Sequence, residues 1–101
     1  LYALDTGWFY PESYAEIARH RYDLVVIEGT FGFGAECEQH MNFRKVEEAL
    51  RLFEGDGLLK EGAPFCASHI CPHFTPVHDE AAPLLAEKGI TLAHDGLTLE
   101  V

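Results

Sequence analysis

A chain of 101 residues with 48% hydrophobic content and twelve aromatics is one domain at most, with enough apolar material for a real core. Seventeen acidic against seven basic residues give a formal charge of −10, which repels a phosphate backbone and argues against nucleic acid as a partner of this chain alone. No apolar run approaches the ~20 residues of a membrane span, and no signal peptide is visible.

Leu1 in first position, with Met41 the only methionine, reads as the start of a piece cut from a longer protein. Tyr2-Ala-Leu4 closes a short strand, stopped by Asp5-Thr6-Gly7. Pro11 suits a first helical position, and Tyr14, Ile17 and Ala18 fall on one face, so a helix is expected over about residues 11 to 19. Tyr22-Asp-Leu-Val-Val-Ile27 is an almost continuous apolar run, the mark of a buried strand.

Gly29 to His40 carries three glycines and no periodicity, and reads as a long loop. Asn42 caps the next helix, whose stripe is Phe43, Val46, Ala49, Leu50 and Phe53, with Gly55 near its end. Ala63 to Ser68 is strand-like; Thr75-Pro76 opens a third helix, interrupted by Pro83 and closed by Gly89. Ile90-Thr-Leu-Ala93 and Leu97 to Val101 alternate around Asp95-Gly96, which predicts a type I′ hairpin. Strands alternating with helices give an α/β layered architecture.

Polar residues gather where predicted strands end: Asp5, Glu28, His69 and His94. The carboxyl ends of strands are where open α/β sheets bind ligands. Taken singly, each has a plain explanation, Asp5 as a turn residue and Glu28 as a solvated strand end. His69 and His73 are four apart, but Pro72 between them argues for a loop. With Cys71, and with Cys37-x-x-His40 upstream, a structural zinc site is arithmetically open, although the spacings match none of the common finger patterns. Gly29-Thr-Phe-Gly-Phe-Gly34 lacks the Gly-Lys-Ser/Thr of a Walker A loop, and the Ala35-Glu36 that follows would repel phosphate. Cys37, Cys66 and Cys71 are odd in number and fit a reducing, cytoplasmic compartment.

Leu4-Asp5-Thr6, Val26-Ile-Glu-Gly-Thr-Phe31, Gln39-His40-Met41, Ser68-His69-Ile70 and His94-Asp95-Gly96 occur in an order that resembles the C-terminal half of metallo-β-lactamase-fold hydrolases. The set is most similar to the branch of phosphonate-pathway cyclic phosphodiesterases and tRNA 3′-processing ribonucleases. The resemblance implies one half of an αββα sandwich and a two-metal site for zinc or manganese. It makes Asp5 a bridging ligand, His69 a second ligand and His40 a proton donor to the leaving group. Glu28 is then a partner orienting a histidine, and His73 and His94 are wall or supporting residues. The family's His-x-His-x-Asp-His motif belongs to the N-terminal half and does not occur in these residues. The expected activity is hydrolysis of a small phosphodiester by the complete protein, with the isolated chain inactive until the missing half is supplied. The alternative is a non-enzymatic α/β regulatory or interaction module, with or without a structural zinc.

Overall fold

The computed structural model describes residues 1–100, so Val101, the last residue of the predicted hairpin, lies outside them. Four short strands and three helices alternate along the chain. They are β1 (Tyr2–Ala3), α1 (Pro11–Ile17), β2 (Val25–Glu28), α2 (Phe43–Gly55), β3 (Phe65–Ser68), α3 (His78–Ala86) and β4 (Thr91–Leu92). The strands form one parallel sheet in the order β1-β2-β3-β4, so each helix is the crossover between spatial neighbours.

The pleat sorts side chains onto two faces. Val25 opposes Phe65, Ile27 opposes Ala67 and Ala67 opposes Leu92. These residues share one core with Val46, Ala49, Leu50 and Phe53 of α2 and Ala81 and Leu85 of α3, and Tyr14 and Ile17 of α1 pack against it. All three helices therefore cover the same face. On the other face Tyr2, Val26, Cys66 and Thr91 stand in one register row with no helix over them. Tyr2 at its edge is exposed, while Cys66 in its middle is buried, which pushes its thiol pKa upward.

Helix α2 holds the core together. Asn42 accepts the Lys45 amide at 2.9 Å through its side chain, the expected N-cap, and the stripe from Phe43 to Phe53 is buried throughout. Phe53 is the hub: its ring meets Phe65 edge-on at 5.7 Å and lies 5.9 to 6.3 Å from Phe9, Tyr14 and Tyr22. Tyr14 also donates its hydroxyl to Asp56 at 2.5 Å; burial, with this bond second, raises its pKa well above the ordinary 10.0.

Several boundaries differ from expectation, for local reasons. Strand β2 starts at Val25, because the Tyr22 backbone is taken by the segment after α2: its amide donates to Leu58 at 2.7 Å and its carbonyl accepts from Lys60 at 3.0 Å. Glu28 is consequently inside the strand and not beyond its end. Helix α1 stops at Ile17, and α3 starts at His78, two residues after Pro76, with Pro83 inside it. Among the described residues the predicted hairpin does not form. Gly96 has φ 84° but Asp95 does not share a positive φ, so the turn closed by Leu97 N–H to His94 C=O lacks the pair of left-handed residues a type I′ turn requires. Residues 97 to 100 join no strand.

Candidate functional site

Because every strand runs the same way, the residues after β1, β2 and β3 emerge at one edge of the sheet. Three of the expected site residues meet there around a fourth, His40. Glu28 turns away from the helix-side core, and its side chain is fully buried. It accepts from His40 Nδ1 at 3.0 and 3.2 Å with its two oxygens. A carboxylate has no proton to give, so Nδ1 carries the hydrogen and Nε2 is the nitrogen left for other work. Asp5 Oδ1 lies 3.8 Å from the same Nδ1, too long for a hydrogen bond but within ion-pair range. The His69 ring lies 6.3 Å from that of His40, inclined by 25°.

Asp5 and His69 share a backbone property that no other non-glycine among the described residues has. Their φ angles are 55° and 58°, in the left-handed region that Cβ sterics disfavour. Each ends its strand by turning sharply out of the extended conformation. Such strain tends to collect where a fold must aim a particular side chain.

The surroundings fix the two imidazoles. His69 Nδ1 and the Thr30 hydroxyl share a 2.8 Å hydrogen bond whose direction follows the tautomer, so Nε2 is again the nitrogen without a partner among the described residues. Phe31 stacks on His40 at 5.6 Å and on Phe74 at 4.5 Å, which makes a column of four rings running His69, His40, Phe31, Phe74. The loop from Gly29 to Met41 is held in place for this by Phe31 N–H to Met41 C=O at 3.1 Å and by Gly29 N–H to Ser68 C=O at 2.8 Å.

Comparison with protein-family models, with curated proteins and with solved structures returns no match. The site must therefore be read from its own geometry.

Two expected residues stand apart. His73, in the turn after Cys71, packs edge-on against Phe74 at 4.9 Å and is otherwise exposed. His94 bonds the Asp95 carbonyl through Nδ1 at 3.0 Å and faces His78 at 5.0 Å, on the far side of β3. Neither makes a hydrogen bond or ring contact with Asp5, Glu28, His40 or His69. Glu28 corrects one expectation outright: the plain explanation made it a solvated strand end, whereas burial leaves it no water and makes His40 its partner.

The metal question can be put to the donors. Asp5 is open to solvent, His69 has a free Nε2, and both chemistries suit zinc or manganese. Their number falls short: among the described residues no three of His, Cys, Asp or Glu converge as a metal-holding group. Of the cysteines, Cys66 is buried in the sheet, the Cys37 thiol is turned to Gln39 at 3.2 Å, and half-buried Cys71 joins no such group among the described residues.

Sequence reasoning passed over Thr30 and Phe31, which position the two imidazoles, and the wall formed by Trp8 and Lys45. A cleft of about 1040 Å³ opens beside His40 between the Asp5 to Tyr10 and Glu36 to His40 segments. The run Trp8-Phe9-Tyr10 inside an expected loop was its one available signal.

Proposed function

We propose that this chain is the C-terminal part of a metal-dependent hydrolase of the metallo-β-lactamase type, acting on a small phosphodiester. The observation that carries the reading is the pair of left-handed strand ends, Asp5 and His69, flanking a histidine backed by a buried carboxylate. Two further features support it. The helix-free face of the sheet is the kind of surface a second sheet would cover in an αββα sandwich. The donors present, a solvent-open carboxylate at Asp5 and an imidazole at His69, are of the chemistry that zinc and manganese take.

In this reading Asp5 and His69 would hold the metals together with ligands from the N-terminal half, as the carboxylate and the imidazole of the set. Two divalent ions, when bound, supply a water of lowered pKa and offset the charge of the phosphate. The rest falls to the chain's own groups. Thr30 keeps the His69 ring from rotating. Glu28 holds the Nδ1 side of the His40 ring, which leaves Nε2 as the atom that, when it carries a proton, passes it to the departing alkoxide. Phe31 holds the plane of that ring.

The test is made in the complete protein, loaded with zinc or manganese and assayed on a bis-aryl phosphate. Asp5→Ala and His69→Ala are expected to lower bound metal and abolish turnover. His40→Ala is expected to keep the metal and lose about 10²- to 10⁴-fold in kcat. Metal content unchanged by both ligand substitutions would overturn the proposal. Turnover by the 101-residue chain alone would overturn the half-site part of it.

A further inference from the structure

The cleft beside His40 is larger than a phosphate needs, and its walls are of mixed chemistry. Its two loops are clamped at the base: a Cβ on Gly7 would lie 1.8 Å from the Glu38 carbonyl oxygen, so no other residue allows this approach. Trp8, the only tryptophan, stands on the wall 38% exposed. It is braced from behind by Phe9 at 5.4 Å, which is anchored in the core through Phe53 at 5.9 Å. An aromatic ring braced by the core yet open to a cleft offers a flat apolar surface at little entropic cost.

Charge narrows what can lie on that surface. Asp5, Glu36 and Glu38 line the cleft, against the ammonium of Lys45, whose Nζ lies 5.2 Å from the Trp8 ring centroid. The other bond of Lys45 is an i,i+3 pair with Glu48 at 3.2 Å, which solvent exchanges readily. A ring that is itself anionic would be repelled by the three carboxylates. A neutral heterocycle carrying N–H groups would instead find acceptors for them, and a phosphate attached to it would draw Lys45 off the indole.

We infer that this cleft is the subsite for a nucleobase-like aromatic group of the substrate, stacked on Trp8, with Lys45 pairing its phosphate. The inference rests on the proposed phosphodiesterase reading for the link to the reacting end, and deepens it by naming the substrate class as nucleotide-sized esters. It also reconciles a base-binding surface with a charge of −10: one phosphate can be met by one lysine, whereas a polymer would meet the acidic surface along its length.

Binding is measured on the complete protein freed of metal by chelation, with the Trp8→Ala variant as the reference for the Trp8 signal. Adenosine 5′-monophosphate is titrated while Trp8 emission is followed, with ribose 5-phosphate as the ring-free control. Saturable quenching by the nucleotide and none by the sugar phosphate is expected. In calorimetry, Trp8→Ala should weaken nucleotide binding about ten-fold or more, while Trp8→Phe, which keeps a ring, retains most of it. Lys45→Ala should weaken the nucleotide but not adenosine. Equal binding of nucleotide and sugar phosphate, or no saturable binding of either, overturns the inference. Hydrolysis in the complete protein is a separate readout: if it fails while adenosine monophosphate still binds through Trp8, the enzymatic reading falls and the subsite stands. If hydrolysis proceeds with the same KM for diesters with and without an aromatic group, the subsite falls and the enzymatic reading stands.

Discussion

The helix-covered face of the sheet and its carboxyl edge are built from the same four strands and obey opposite rules. On the face, Val25, Ile27, Phe65, Ala67 and Leu92 are buried against three helices, and nothing there is polar. At the edge a carboxylate is buried, two non-glycine residues are left-handed and imidazoles stack on one another. The first arrangement lowers the free energy of the fold. The second raises it locally and is tolerated because the first is in surplus. A region that costs stability and is nevertheless tightly constructed is where chemistry is to be sought.

Substitutions can break that contrast in order of size. Phe53→Ala removes the hub of the aromatic core and should cost about 3–5 kcal/mol, read as a fall in the urea midpoint. His40→Ala leaves buried Glu28 without its partner and should cost about 1–3 kcal/mol, with His40→Gln recovering part of it by keeping a donor. A neutral His40→Ala would mean that the Glu28 pair contributes nothing and that the edge is less organised than its geometry indicates. His69→Gly has the smallest expected effect and the opposite sign: relief of a left-handed φ should leave stability unchanged or raise it by up to about 1 kcal/mol. A loss of several kcal/mol at His69 would make it a structural residue and remove the contrast between the two regions.

What was legible from residues alone follows the same division. The apolar runs and the Asn42 stripe announced β2, α2 and their burial, because hydrophobic periodicity reports which side of an element meets the core. The strand-end position of Asp5 and His69 was legible for a related reason, since a run of apolar residues has a visible end. Their left-handed backbone was not, because nothing in Leu4-Asp5-Thr6 or Ser68-His69-Ile70 demands it. The failure at Asp95-Gly96 is instructive: the dipeptide allows a primed turn but does not compel one, and only Gly96 of the pair takes a left-handed φ. The histidine-orienting role that the resemblance implied for Glu28 agrees with its bonds to His40, whereas its plain explanation as a solvated strand end fails, because a carboxylate after Ile27 only looks like a return to water. Only the folded loop from Gly29 to Met41, which brings His40 back over β2, explains its burial.

The strand order carries a consequence for how the molecule comes into being. Sheet order and chain order are identical, so no strand has to wait for a partner made much later. Each strand–helix–strand unit closes on an edge that already exists. As the chain leaves the ribosome, Asp5 would be in place before the Glu28–His40 pair, and His69 after both. This chain's share of the candidate site would thus be assembled from one side to the other in the order in which it is synthesised.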